Sequence, residues 1–211
     1  ENDIRFFKWD MNRHFSEPGW PAMAPEEQKK VWVEYVRAVY SVMDRLKARH
    51  PGVEIESCSG GGGRVDLAML ERVEQVWTSD NTEAFDRLRI QEGFTMAYTP
   101  KVMMAWVTDV PNMNGRVTPL RYRFLTAMQG SLGIGVNLSH WSEADNKLAA
   151  EMIAYYKRVR PSVQEGRLYR LLSPRETDAA VNEYVARDGR QVVVFASRHS
   201  QQYLRALPTI R

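Results

Sequence analysis

The 211-residue chain predicts an α/β fold: a parallel sheet, either a βα-barrel or a doubly wound sheet, with an antiparallel β segment after it. Three observations carry this. Five strand-like segments alternate strictly with helical ones. Three of those strands run into polar or glycine-rich stretches, around Asp10, Cys58 and Asp80, as strands do at the rim of a barrel. Beyond Pro161 the helical pattern stops and strand-like segments follow one another across turns.

Residues 4–9 read as the first strand. Residues 25–49 read as one long helix, with Pro25 at an early position and apolar residues at Val31, Tyr35, Val39, Val42, Met43 and Leu46. Pro51-Gly52 stops it. Residues 53–57 form the second strand, 65–73 a short helix, 75–78 the third strand and 82–96 a helix. The unbroken apolar run at 102–107 is the pattern of a strand buried on both faces. Thr118-Pro119 opens a helix that ends at Gly130, and residues 134–138 read as the fifth strand. Ser142-Glu143-Ala144-Asp145 resembles a capping box and opens a helix through about Arg158, which Pro161 is expected to end. Residues 168–172, 181–186 and 191–196 are consecutive strands, with Asp188-Gly189 as one of the turns. A boundary is placed at 161–167.

A hydrophobic fraction of 44% and a charged fraction of 26% describe an ordinary globular protein. The net charge of +3 comes from scattered basic residues with no run of five or six, so no nucleic-acid partner is expected. No apolar stretch reaches about 18 residues, so no membrane span is expected. One cysteine makes no internal disulfide and favours a reducing compartment. The chain opens on Glu1 and enters a strand-like run at once, which suggests a piece of a longer protein.

Asp10 closes the first strand, and Lys8, two residues back, points to the same side. A lysine there keeps a carboxylate ionised, as a nucleophile needs; the plainer reading is a structural ion pair at a strand end. Asp80 is either a general acid whose pKa a neighbouring carboxylate and partial burial would raise, or the N-cap of the helix that follows. The run Cys58-Ser59-Gly60-Gly61-Gly62-Gly63-Arg64 lacks the lysine of a P-loop and the spacing of a dinucleotide fingerprint. Its glycines let a backbone pass close to a ligand. Cys58 has no histidine in its motif and reads as a substrate-lining or inert buried thiol. His14, His50, His140 and His199 have no metal-ligand spacing. Trp9, Trp20, Trp77, Trp106 and Trp141 fall near strand ends, where an aromatic face is either core or a platform for a sugar ring.

Three segments together, Lys8-Trp9-Asp10-Met11-Asn12-Arg13, the Cys58 run, and Trp77-Thr78-Ser79-Asp80-Asn81-Thr82, resemble in order and spacing the signatures of glycoside hydrolase family 36 α-galactosidases. The resemblance continues through Trp106-Val107-Thr108-Asp109-Val110-Pro111-Asn112 and Met128-Gln129-Gly130-Ser131-Leu132-Gly133 into Asp188-Gly189-Arg190-Gln191. It implies a (β/α)8 TIM barrel whose strands four to eight lie at residues 1–163, with residues 164–211 starting an antiparallel β-sandwich domain.

By the same resemblance Asp10 is the catalytic nucleophile and Asp80 the acid/base. Lys8, Asn12, Cys58, Gly61 and Trp77 bind substrate, and no metal or organic cofactor takes part. Glu83 departs from the family, which often has Asp there, with no loss of chemistry expected. The implied reaction is retaining, exo-acting hydrolysis of terminal α-galactosides such as melibiose and raffinose. It uses two carboxyl groups roughly 5–5.5 Å apart. The implied partners are α-galactoside sugars and, in a full-length cytoplasmic protein, three further copies in a homotetramer. Transfer of galactose to other sugars, acceptance of N-acetylgalactosamine, and an inactive carbohydrate-binding fragment are the alternatives.

Overall fold

The computed structural model describes residues 3–12 and 16–200, in two compact units, Glu1–Trp77 and Thr78–Arg211. The first unit holds three parallel strands: β1 (Phe6–Trp9), β2 (Glu54–Ser57) and β3 (Gln75–Trp77). The register pairs Phe6 with Glu54 and Trp9 with Ser57, then Glu56 with Gln75. Parallel pairing brings the C-terminal ends of β1 and β2 to one edge, so residues 10–12 and 58–64 meet there.

Parallel strands need a crossover, and α1 (Lys30–Arg49) supplies the first. The long helix expected from residue 25 is divided: Pro25–Glu27 form a separate 3-10 turn before α1 begins. The second crossover contains α2 (Leu67–Leu70), capped by the Asp66 carboxylate, which accepts from Met69 N at 2.7 Å. Tyr40 on α1 donates to the same Asp66 at 2.6 Å, fastening helix to helix; burial, then this bond, push the Tyr40 phenol up to about 12.

The second unit opens with α3 (Ala84–Thr95), then β4 (Met103–Thr108), α4 (Leu120–Ala127), β5 (Ser131–Gly135) and α5 (Glu143–Glu165). β4 and β5 are parallel. Three antiparallel strands follow: β6 (Arg167–Leu172), β7 (Ala179–Val185) and β8 (Val192–Arg198). One core serves both parts. Val107, Phe124, Met128, Met152 and Val163 pack in the same cluster as Tyr184, Val193 and Phe195.

Two further expectations are corrected. The fifth strand begins at Ser131, three residues before the expected 134, because Gly133 and Gly135 lie opposite Trp106 and Thr108 of β4. In detail, Trp106 pairs with Gly133 and Thr108 with Gly135, and the Trp106 ring occupies the space a side chain on either glycine would need. Pro161 does not end α5, which runs on to Glu165 with the proline inside it. The lost N–H is offset by tertiary contacts on both sides of the proline: Val159, Ser162 and Val163 are buried, and the Ser162 hydroxyl donates to Gln191 Oε1 at 2.6 Å. The capping box at Ser142 and Asp145 is present as expected.

Candidate active site

In the first unit two strand mouths are sewn together. Cys58 N donates to Trp9 O at 3.0 Å, and Met11 N to Cys58 O at 3.2 Å. The Ser59 hydroxyl donates to Met11 O at 2.7 Å, and Gly60 N to the Asn12 carboxamide oxygen at 3.1 Å. Arg64 spans the seam, donating to Trp9 O at 2.6 Å and to Cys58 O at 3.1 Å. The tight return of this loop needs φ of 53° at Gly60 and 90° at Gly61, which side-chain-bearing residues adopt only under strain.

Asp10 is exposed at this edge. Its carboxyl is held below its usual 3.8, first by a hydrogen bond from the Cys58 side chain and further by Asn12 and the Met11 and Gly60 N–H groups, against the opposing effect of burial. Cys58 is 1% exposed, and burial pushes its thiol up to about 11, so it stays protonated and donates. The expectation named Lys8 for this role; the largest cause is the Cys58 thiol. The Lys8 ammonium lies 3.6 Å from the Glu56 carboxylate and 4.0 Å from the centroid of the Trp77 ring. Trp77 itself is buried, and so is Gly61.

Glu56 and Gln75 were missed by sequence reasoning. Glu56 is 2% exposed, and the Gln75 carboxamide donates to it at 2.5 Å. Burial raises the Glu56 carboxyl, with Gln75 and Lys8 opposing. The available signal was parity: Glu56 lies two residues before Cys58, as Lys8 lies two before Asp10.

In the second unit Asp80 is exposed, just beyond the end of β3. It does not cap the next helix. Glu83 does: its fully buried carboxylate accepts from Phe85 N at 3.0 Å and Asp86 N at 2.9 Å and pairs with Arg116. The chain on both sides of Asp80 is fixed. The Ser79 hydroxyl accepts from Asn81 N at 3.1 Å, and the Asn81 side chain bonds Glu83 N at 3.0 Å and Asp86 at 2.9 Å. Thr82 bonds Asn112 at 3.3 Å and Thr108 at 3.0 Å. Arg87, whose guanidinium burial brings down to about 10, donates to Met104 O at 2.8 Å and Ser79 O at 3.4 Å.

His14 lies outside the described residues. Among the described residues no group of three His, Cys, Asp or Glu side chains converges as a metal ligand set.

The melibiase family model matches residues 1–166. The chain is 43% identical over 192 residues to α-galactosidase AgaA of Geobacillus stearothermophilus, covering 90% of this chain and 26% of that protein. It is 40% identical over 210 residues to α-galactosidase C of Emericella nidulans, covering 99% and 27%. Among solved structures, the glycoside hydrolase family 36 α-galactosidase AgaA of Geobacillus stearothermophilus superposes with a TM-score of 0.94 at 41% identity, over 99% of this chain and 29% of that one. A doubly substituted form of that enzyme in complex with raffinose matches with the same TM-score at 40% identity and the same coverage. This chain therefore spans about a quarter of the length of the curated relatives it matches. Its fold is a partial TIM barrel of five parallel strands followed by the start of an antiparallel β domain. Motifs, fold and relatives agree, and the chain belongs to the melibiase family, among the glycoside hydrolase family 36 α-galactosidases.

Proposed function

We propose that the full-length protein is a retaining, exo-acting α-galactosidase in which Asp10 is the nucleophile and Asp80 the acid/base. The observation that carries this is the state of Asp10: an exposed carboxylate at a strand mouth, held ionised by a neutral thiol and by side-chain and backbone donors. That is a nucleophile ready at working pH. The raffinose-bound relative supports raffinose-type sugars as substrates, and the melibiase family match supports melibiose.

An Asp10 oxygen attacks the anomeric carbon while the bond to the leaving oxygen breaks and that oxygen takes the Asp80 proton. Water then attacks the anomeric carbon of the galactosyl ester, gives its proton to Asp80, and Asp10 leaves as carboxylate. The two carboxyl groups need to stand roughly 5–5.5 Å apart. Lys8, Asn12, Cys58, Gly61 and Trp77 surround the sugar in this reading. Residues 1–163 are the barrel part and 164–211 the start of the β domain. Among the described residues no helix is long and apolar enough to cross a membrane; a cytoplasmic homotetramer is the form proposed.

Turnover of a chromogenic α-galactoside by the full-length protein, with the first-formed galactose read by NMR, tests the reading. The α anomer is expected first. The β anomer would replace retention by inversion, and no turnover would remove the hydrolase.

A further inference from the structure

Glu56 is the buried charge of the first unit that the proposed chemistry leaves unused. It belongs to a row. The sheet register sets Lys8 of β1 opposite Glu56 of β2, and Glu56 opposite Gln75 of β3, so the three side chains leave one face of the sheet side by side. The two oxygens of Glu56 are divided between its neighbours: Oε2 accepts from Gln75 at 2.5 Å, and Oε1 lies 3.6 Å from the Lys8 ammonium. The indole of Trp77, two residues beyond Gln75, lies against the other side of that ammonium, 4.0 Å from ring centroid to nitrogen.

The row has a buried end and an open end. The Glu56 side chain is 2% exposed and that of Lys8 35% exposed, so a ligand at this edge meets Lys8. A lysine ammonium sits on four flexible carbons and does not hold a direction unaided. A carboxylate behind it and an aromatic face beside it supply one. Burying the carboxylate is costly: burial raises its pKa in spite of both partners. A residue that costs stability and touches the one accessible cation of its row has the signature of a part kept for binding.

We propose that Glu56, backed by Gln75, is a positioning residue that fixes the Lys8 ammonium as a hydrogen-bond donor to a hydroxyl of the bound galactosyl unit. This rests on the α-galactosidase reading above. Glu56 touches no substrate and acts through Lys8 alone.

The test is a double-mutant cycle in the full-length protein with Glu56→Gln, Lys8→Met and the pair, reading galactose affinity by calorimetry, KM and kcat for an α-galactoside, and melting temperature. Glu56→Gln is expected to weaken galactose binding and raise KM about tenfold or more, the size of a lost bond to a charged group, with a smaller effect on kcat. Its melting temperature at neutral pH is expected to equal or exceed that of the parent, which a merely structural residue would not allow. In the Lys8→Met background the same change is expected to add no further loss. Glu56→Asp, which keeps the charge but shortens the reach, is expected to fall between parent and Glu56→Gln, and Lys8→Gln takes the place of Lys8→Met in the cycle if the latter fails to fold. Unchanged galactose affinity in Glu56→Gln, or equal losses with and without Lys8, would overturn the proposal. Coupled losses in galactose binding without any turnover would sustain it and remove the hydrolase reading instead. Turnover with uncoupled losses would remove this proposal alone.

Discussion

Arg64 donates to the carbonyl of Trp9 at 2.6 Å, and Trp9 is the residue before Asp10. The same guanidinium nitrogen donates to Cys58 O at 3.1 Å, and that carbonyl accepts from Met11 N, the residue after Asp10. The peptide that carries the proposed nucleophile is thus pinned on both sides by one side chain. Arg64→Ala in the full-length protein is expected to lower kcat about ten- to a hundredfold, the range that small misplacement of a reacting group costs, with a lesser change in KM. Added guanidinium should restore part of the rate, and Arg64→Lys should recover less than the parent because an ammonium on a flexible stem lacks the planar fork that holds the donor in place. Steady-state kinetics with guanidine titration check this; an Arg64→Ala protein with the parent's kcat would contradict it.

The two aspartates are expected to differ by substrate. Asp10→Gly should stop turnover for every α-galactoside. Asp80→Ala should slow natural sugars far more than substrates with an activated phenol leaving group, because only the former need a proton. Equal losses on both kinds of substrate would argue against Asp80 as the acid.

Cys58 offers a test through pH. Its hydrogen bond is the largest cause of the lowered Asp10 pKa. A carboxyl lowered on folding contributes stability above its unfolded value, near 3.8, and loses it as pH falls through the folded value. Cys58→Ala removes that donor, so the Asp10 pKa rises toward 3.8 and the acid limb of kcat/KM moves to higher pH. The parent thiol, pushed up to about 11, should react slowly with iodoacetamide at neutral pH in the folded protein and quickly once unfolded. An acid limb that stays put in Cys58→Ala would show that the thiol does not set the charge on Asp10.

Gly135→Ala tests the packing of β5. A Cβ at Gly135 runs into the Trp106 ring, and one at Gly133 meets both Met104 and Trp106. Overpacking of this kind costs about 1–3 kcal/mol. A fall in the midpoint of chemical unfolding with an unchanged slope is expected; a gain in stability would show that Trp106 has room to move.

Much of this was legible in the chain. The apolar run before Thr108 and the polar or glycine-rich residues after each short strand placed β1 to β4 within a residue or two, because the chain turns polar where a strand leaves the sheet for the rim. What escaped depended on contacts across strands. Gly133 and Gly135 look unlike strand residues until Trp106 is set opposite them. Pro161 reads as a stop until the contacts of Val159, Ser162 and Val163 are counted. Glu56 looks like an ordinary surface charge on a short strand until the register sets Lys8 on one side and Gln75 on the other. The site residues named by motif lie at the strand mouths, while the groups that set their charge and direction are a thiol, an arginine and a buried glutamate whose roles no spacing rule announces.

The antiparallel sheet is bolted to the helices before it. Arg175 pairs with buried Glu92 of α3 at 3.0 Å, Arg89 donates to Pro174 O at 3.2 Å, and Asn182 and Tyr184 bond Gln129 at 2.8 and 3.1 Å. The match to the melibiase family stops at residue 166, between α5 and β6. That point is a seam in the topology and no seam in the material. Cutting there would strip Tyr184, Val193 and Phe195 from the shared core and strand a buried carboxylate. Anyone grafting this half-barrel onto another scaffold would have to carry the three strands with it, as a keel that travels with its hull.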